Sequence, residues 1–289
     1  MSTVAAELLI QAEAKRLRLP VVAAQAGKFA AEAALAGHGP LEFLAALLSA
    51  EVAQRDLNVE RARVTQARFP ELKELSDFNF ALVPSLNAPM IAELAQGAFI
   101  NRHEVLLAVG PPGTGKTHIA SGIGLACCRQ GRRVRFITVA ELVTELAEAQ
   151  AEHRLSRLEA QLDRLDLLIL DELGFIRLDA DQAQLLFILL AHRYTRGGLI
   201  ITSNLEFGEW TSVFNNDARL VSALLDRLTH RCHVLQFQAE SYRFRESLAA
   251  QTTAHGPVRP RRTAQLATAT PTPGPEGERA EISAPAVAP

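Results

Sequence analysis

The stretch "LLAVGPPGTGKTHIA", residues 106–120, decides the fold of this chain. Residues 110–117 match the pattern G-x-x-x-x-G-K-[ST] in full, after an apolar run that predicts a strand and before a pattern that predicts a helix. Glycines let backbone N–H groups close around phosphate oxygens, and the following helix adds the positive end of its dipole. The sequence therefore predicts a strand–loop–helix unit that binds the phosphates of a nucleotide. A glycine turn that binds no ligand is the alternative reading.

Side chains in and after this loop have separate predicted roles. Lys116 is expected to reach the β- and γ-phosphates as a cation, and Thr117 to offer its hydroxyl to Mg²⁺. ATP and Mg²⁺ are therefore the predicted cofactors. The residues predicted to contact the nucleotide are Gly110, Pro111, Pro112, Gly113, Thr114, Gly115, Lys116, Thr117 and His118.

Short apolar runs alternate with helical patterns on both sides of the loop. The runs that predict strands are 104–109, 133–139, 165–170, 198–203 and 233–237. The segments that predict helices are 116–129, 140–163, 181–195 and 218–229. Short buried strands that alternate with helices are typical of an α/β fold with a doubly wound, parallel, five-stranded sheet.

Two terminal regions differ from this alternating segment, which spans residues 69–250. Residues 1–68 are rich in strong helix formers and predict a small all-α domain, broken at Gly37–Pro40. In its last helix the spacing predicts one apolar face, formed by Leu41, Leu44, Leu48 and Val52. Residues 251–289 are proline-rich and contain no aromatic residue, so a disordered tail is expected, in which Arg259, Arg261 and Arg262 are solvated rather than bound to DNA.

Two adjacent carboxylates follow the third predicted strand, in "LDLLILDELG" (165–174). Ligands of α/β sheets bind at the carboxyl ends of the strands, where Asp171 could hold Mg²⁺ and Glu172 could polarise an attacking water. A kinase does not need the second carboxylate, because a substrate hydroxyl replaces the water. The pair therefore favours hydrolysis over a chance surface pair.

Two later residues are weaker candidates. Asn204 follows the strand in "LIITSN" (199–204) and could orient the attacking water, although Ser-Asn also begins ordinary turns. Arg227 lies near the end of a helix in "ARLVSALLDRLTHRCHVLQF" (218–237), where Leu220, Leu224 and Leu228 predict a core stripe. It could stabilise transition-state charge on a neighbouring subunit's nucleotide, or it could be a surface or helix-end cation.

The phosphate loop, the carboxylate pair, Asn204 and the Arg227 helix follow one another in the chain. In this order they resemble the AAA+ ATPases, and more closely the IstB-like helper ATPases encoded by bacterial insertion sequences. The residues that carry the resemblance are "VGPPGTGKTHIA", "LLILDELGF", "LLFILLAHRY", "IITSNLEFGEW", "LLDRLTHRCHVLQF" and "ESYRFRES", with "RLRLPVVAAQ" and "ARFPELKELSDFNF" upstream. They cover residues 7–247. The sequence departs from the usual pattern at Phe175 and Ile176 and in its proline-rich tail.

The resemblance implies an N-terminal domain for DNA or partner binding and oligomerisation, followed by an ATPase core that assembles on duplex DNA. It implies recruitment of the transposase encoded by the same element. By motif position Lys116 and Thr117 are the Walker A pair, Asp171 and Glu172 the Walker B pair, Asn204 the sensor and Arg227 an arginine finger acting in trans. Arg243 and Arg245 are the candidates for a second sensor role.

Composition constrains these expectations. A net charge of −2 argues against coating DNA through overall charge, and three cysteines, two of them adjacent, fit neither a disulfide framework nor a zinc pattern. No apolar stretch approaches the roughly 18–20 residues of a spanning helix, so a cytoplasmic protein without membrane contact is expected. Candidate DNA contacts, each of which could instead be a solvated helix face, are Arg55, Arg61, Arg63, Arg68, His153, Arg154 and Arg157.

Three functions compete. The first is an ATP-driven helper of transposition, and the second is a loader that controls capture of a replicative helicase. Their ATPase cores would be alike, so the N-terminal domain and a neighbouring transposase reading frame decide. A phosphoryl-transfer enzyme on a small molecule is disfavoured by Glu172, Asn204 and Arg227.

Overall fold

The structure is a computed structural model that describes residues 2–239 and 241. The predicted tail (251–289) with its three arginines lies outside the described residues, as do Arg243, Arg245 and most of the "ESYRFRES" motif.

Three helices form the N-terminal region, as its composition predicts. They are α1 (Thr3–Arg16), α2 (Pro20–Ala36) and α3 (Pro40–Ala67). Gly37 ends α2 in the left-handed conformation, and Pro40 is the first residue of α3. The predicted break at Gly37–Pro40 is thus confirmed.

The structure contradicts the predicted apolar face of α3. The predicted stripe is exposed, with Leu41, Leu44, Leu48 and Val52 at 81%, 46%, 46% and 56% of full exposure. The side chains that face α2 are instead Leu47 and Glu51, which are 4% and 2% exposed. The periodicity was misread because a buried carboxylate occupies the inner face. The Glu51 carboxylate accepts hydrogen bonds from the backbone N–H groups of Val21 and Val22 at 2.8 and 3.2 Å, at the first turn of α2.

A five-stranded sheet forms the centre of the described residues. Its strands are β1 (Val105–Val109), β2 (Val134–Thr138), β3 (Leu167–Leu173), β4 (Gly198–Ser203) and β5 (Cys232–Gln236). The strand order is β2-β3-β4-β1-β5, and every pairing is parallel. The doubly wound parallel sheet predicted from the sequence is therefore confirmed.

Helices cover both faces of this sheet. They are α4 (Ala88–Ala95), α5 (Ala98–Asn101), α6 (Lys116–Arg129), α7 (Val139–Ala151), α8 (Leu155–Asp163), α9 (Ala180–Arg193) and α10 (Ala218–His230). Alternate residues of β1 point to opposite layers, as strand geometry requires. Leu107 packs with α7 to α10, and Leu106 with α4, α5, α6 and the end of α3.

The segment 140–163, predicted as one helix, is two. Helix α7 ends at Ala151, and α8 begins at Leu155. His153 between them has a positive φ of +56°, which is incompatible with a continuous right-handed helix. The break places His153, Arg154 and Arg157 at and just after an exposed turn.

Candidate functional site

The phosphate-binding loop joins β1 to α6 and depends on three left-handed glycines. Gly110, Gly113 and Gly115 have φ values of +146°, +77° and +98°. A Cβ at these positions would overlap the Phe237 carbonyl, the Ser241 hydroxyl and the Phe78 ring, respectively. Only glycine combines this backbone with such close neighbours, so the loop keeps its N–H groups accessible to a ligand.

Lys116 begins α6 with its side chain turned back into the loop. Its ammonium group donates to the carbonyl oxygens of Gly110 and Pro111 at 2.6 and 2.7 Å, and only 8% of the residue is exposed. Thr114 braces the same turn, donating from its hydroxyl to the Pro111 carbonyl at 2.8 Å. The loop therefore encloses a cation next to N–H groups, which is a suitable environment for phosphate oxygens.

Thr117 at the start of α6 contacts Asp171 near the end of β3. The Thr117 hydroxyl donates to the two carboxylate oxygens of Asp171 at 3.1 and 3.0 Å. Asp171 is 4% exposed, and burial raises the pKa of its carboxyl group, while hydrogen bonds from Thr202 and Thr117 and the charge of Lys116 act in the opposite direction. Hydroxyl and carboxylate oxygens beside a phosphate loop are a donor set that fits Mg²⁺.

Glu172 adjoins the Asp171 carboxylate but is exposed. Its φ is +65°, a left-handed conformation uncommon for a non-glycine residue, and its backbone N–H donates to the Thr202 hydroxyl at 3.0 Å. The Thr202 hydroxyl in turn makes a short hydrogen bond to Asp171 Oδ1. The sequence analysis missed Thr202, because threonine is a common strand residue and its position inside β4 does not indicate a functional role.

Asn204 follows β4, which lies between β1 and β3. Its side chain is exposed, and its Oδ1 would lie 2.7 Å from a Cβ placed on Gly174, in the turn after Glu172. The strand order therefore brings Asn204 to the sheet edge that carries Lys116 and Asp171, as the chain order predicts.

A segment before β1 that sequence reasoning did not assign covers the loop helix. Phe78 lies over Gly115, and Leu75 lies over Gly122. His118 faces this segment: its Nε2 is 2.7 Å from the Glu74 carbonyl oxygen, and its ring meets Phe78 edge-on at 5.3 Å. The signal available in the sequence was the Phe-rich stretch "FPELKELSDFNF" (69–80). It is part of the family resemblance, but it contains no catalytic or phosphate-binding motif.

Arg227 lies on α10, away from the contacts just described. Its guanidinium donates to the Ala223 carbonyl at 2.7 Å and lies over the Phe187 ring at 5.5 Å. Both contacts lie within the helical layer, one with α10 itself and the other with α9. Of the predicted core stripe, Leu224 and Leu228 are fully buried, and Leu220 is partly buried against the same core.

The candidate DNA contacts lie in two places, along the second half of α3 and around the α7–α8 turn. Arg55 pairs with Glu51 at 3.4 Å and donates to the Arg18 carbonyl at 2.6 Å, so it has a structural role. Arg61, Arg68, His153, Arg154 and Arg157 are exposed, and Arg63 is half-buried.

Between α7 and α8 a cavity of about 280 Å³ is lined by both signs of charge, including Glu145, Glu148, Arg154 and Arg157. Arg154 is also paired with Glu152. The α7–α8 turn thus exposes arginines within a surface of mixed charge.

None of the helices among the described residues is long and apolar enough to cross a lipid bilayer.

Comparison with known proteins agrees with this geometry. The model of the family described as IstB-like ATP binding protein matches residues 12–250. The predicted ATP-binding protein of insertion sequence IS5376 from Geobacillus stearothermophilus is 37% identical over 231 residues, which cover 80% of this chain and 92% of that protein. The corresponding protein of insertion sequence IS21 from Pseudomonas aeruginosa is 39% identical over 209 residues, covering 72% and 78%.

Among solved structures, AMPPCP-bound DnaA from Aquifex aeolicus superposes with a TM-score of 0.51 at 17% identity, covering 65% of this chain and 56% of that one. At this identity the likeness concerns the α/β fold alone.

Proposed function

This chain belongs to the IstB-like ATP-binding protein family, and we propose that it is a Mg²⁺-dependent ATPase that assembles on duplex DNA and recruits or activates the transposase of its insertion sequence. The observation that carries the ATPase part is the meeting of Lys116, Thr117 and Asp171 at one sheet edge, with Glu172 exposed beside them. A cation, a hydroxyl–carboxylate pair and a second, solvent-facing carboxylate are the groups that nucleotide hydrolysis requires.

Each group has one assignment in this proposal. The loop N–H groups and Lys116 bind the phosphates, while Thr117 and Asp171 hold Mg²⁺, which when bound neutralises charge on the β- and γ-phosphate oxygens. The Glu172 carboxylate orients the attacking water and accepts its proton, and the Asn204 amide fixes that water from β4. Burial of Asp171 against exposure of Glu172 suits this division between holding a cation and contacting water.

The site is shared between copies in our proposal. The Arg227 guanidinium bonds to the Ala223 carbonyl of its own helix and lies over the Phe187 ring of α9. Acting on the nucleotide of an adjacent copy, it would stabilise charge that develops on the γ-phosphate. This arrangement makes hydrolysis depend on assembly, and assembly on duplex DNA would therefore stimulate turnover.

Helicase loading is the alternative function. The insertion-sequence relatives support the transposition role, since the IS5376 protein aligns over 80% of this chain. The exposed arginines near the end of α3 and at the α7–α8 turn are proposed to contact DNA phosphates, which would make binding salt-sensitive and weakly sequence-selective. A cytoplasmic location is part of the same proposal.

The first experiment measures ATPase rate and particle size with and without duplex DNA. Arg227→Ala is expected to bind ATP normally and to lose turnover by about 10³-fold or more, the usual range for an arginine finger. Lys116→Ala is expected to lose ATP binding. An equimolar mixture of the two should regain activity, because the ATP site of the Arg227→Ala chain can then meet an intact Arg227.

A mixture that stays inactive although both variants assemble would contradict the shared site. A monomeric wild type whose turnover ignores DNA would contradict the assembly proposal itself. The partner is tested by offering the DNA-bound assembly the transposase of the neighbouring reading frame and, separately, a replicative helicase. Capture of the helicase alone would favour the loader function.

A further inference from the structure

The pairing of β3 with β4 is irregular at the catalytic carboxylates. Leu170 is paired with Ile201 and Leu173 with Ser203, so Asp171 and Glu172 together lie opposite the single residue Thr202. This is the arrangement of a β-bulge, in which two residues of one strand oppose one of its neighbour and the local side chains are redirected.

The bulge explains how two adjacent carboxylates can serve one site. In a regular strand, successive side chains point to opposite faces, so Asp171 and Glu172 would be separated by the sheet. The left-handed φ of +65° at Glu172 breaks this alternation. Such a conformation is unfavourable for a non-glycine residue and persists only where surrounding contacts hold it.

Thr202 supplies those contacts with a single hydroxyl group. It donates to Asp171 Oδ1 and accepts from the Glu172 backbone N–H at 3.0 Å. A hydroxyl has one hydrogen to donate, and here that hydrogen is directed to Asp171. Thr202 is 1% exposed, so water cannot replace either bond.

The other hydroxyl on Asp171 is of a different kind. Thr117 comes from the loop helix and is itself a proposed Mg²⁺ ligand. Its hydrogen bond to Asp171 would therefore be replaced when both residues bind the ion. Thr202 belongs to the interior of the sheet, between Ile201 and Ser203, which are both buried. It is therefore the fixed partner of Asp171.

We propose that Thr202 is a positioning residue for ATP hydrolysis, whose hydroxyl both orients the magnesium-holding carboxylate and keeps Glu172 in the bulge that turns it toward the nucleotide. The inference rests on the proposed ATPase function and deepens it. Thr202 acts through the two carboxylate residues to which it is bonded.

The test compares Thr202→Val, which keeps the shape but removes both hydrogen bonds, with Thr202→Ser, which keeps the hydroxyl. Thr144→Val is the control, since the Thr144 hydroxyl bonds to the Ala140 carbonyl of its own helix on an exposed face, away from both carboxylates. Binding of a fluorescent ATP analogue is titrated with Mg²⁺ for each full-length variant, and turnover is measured on the same samples.

Thr202→Val is expected to bind the nucleotide normally in EDTA but to need about 10- to 100-fold more Mg²⁺ and to turn over correspondingly more slowly, the range for losing an outer partner of a metal ligand. Thr202→Ser and Thr144→Val should remain close to wild type in both measurements. If Thr202→Val does not fold, Thr202→Ala against Thr202→Ser gives the same comparison, because that pair differs only by the hydroxyl.

A normal Mg²⁺ midpoint in the hydroxyl-free variants would overturn the inference, even if their melting temperatures fall. Equal defects in Thr202→Ser and Thr202→Val would also overturn it, since the hydroxyl would then not be the active group. The binding measurement does not depend on hydrolysis. A wild type that binds nucleotide in a Mg²⁺-dependent way without hydrolysing it therefore contradicts the proposed function but not the orientation of Asp171.

Discussion

The N-terminal helices and the central sheet bury their residues in opposite ways. All five residues of β1 are buried, and both of its faces are covered by helices of the same chain. In α1 to α3, by contrast, mostly small residues are buried, and most of the leucines remain outside. The buried apolar residues of these three helices are Ala14, Val21, Ala26, Ala33, Leu47 and Ala67.

This difference shows what an apolar pattern can and cannot specify. An apolar strand within a parallel sheet is covered on both faces by the helices that connect the strands, so its burial follows from the fold. A helix outside the sheet is covered only where a neighbour happens to pack. Around Glu51 of α3 that neighbour is α2, and their contact includes the buried Glu51 carboxylate.

The largest effect is expected from a truncation beside the sheet. Trp210 is fully buried, and its indole N–H donates to the Leu205 carbonyl at 3.3 Å, in the segment that follows Asn204. Trp210→Ala should lower the free energy of unfolding by about 3–5 kcal/mol, as for other large buried aromatics. Chemical denaturation measures this, with Trp210→Phe as the milder control. A loss no greater than that of a surface substitution would place this segment outside the cooperative core.

Adjacent leucines of α3 provide the sharpest comparison within the N-terminal helices. Leu47 is 4% exposed and Leu48 is 46% exposed, although the sequence pattern favours Leu48 as the inner residue. Leu47→Ala should cost about 2–5 kcal/mol, near the lower end because a small helical layer can relax around the gap.

Leu48→Ala should cost well under about 1 kcal/mol, in keeping with surface substitutions. Both variants are compared by thermal and chemical denaturation. If Leu48→Ala proves the more damaging, the face of α3 that packs on α2 is not the one described here.

A smaller effect is expected from the carboxylate that joins α2 to α3. Removing the buried Glu51 side chain leaves the Val21 and Val22 N–H groups without this acceptor, so Glu51→Ala should cost about 1.5–3 kcal/mol, as for hydrogen bonds to charged groups. The control is Glu42→Ala, which removes the exposed bond to the Gly39 N–H at 2.8 Å and should cost about 0.5–1 kcal/mol. Equal losses in the two variants would show that burial adds nothing at Glu51.

Much of the site could be predicted because its parts are short motifs with fixed backbone requirements. The loop glycines, Lys116 and Thr117 are read directly from the sequence, and the parallel strand order then brings Asp171 and Asn204 to the same edge. The core stripe of α10 was also predictable, with Leu224 and Leu228 both fully buried. The buried residues of α10 are all apolar, so the helical spacing of its apolar residues identifies the inner face.

The α3 face and the Thr202 contacts were not predictable in this way. A buried glutamate looks like a solvent-facing residue until the N–H groups it satisfies, some 30 residues earlier in the chain, are known. A strand bulge likewise depends on two segments paired about 30 residues apart, and threonine is an ordinary strand residue.

The sequence by itself determined the phosphate loop, the alternating strands and helices, and the polar residues that end β3 and β4, because these follow from local backbone chemistry and hydrophobic period. Only the tertiary structure decided which face of α3 is covered, that the 140–163 segment breaks at His153, and that the Thr202 hydroxyl bonds to both the Asp171 carboxylate and the Glu172 backbone N–H. These features are hydrogen bonds and packing contacts between distant segments, and their free energies appear only once the chain has brought those segments together.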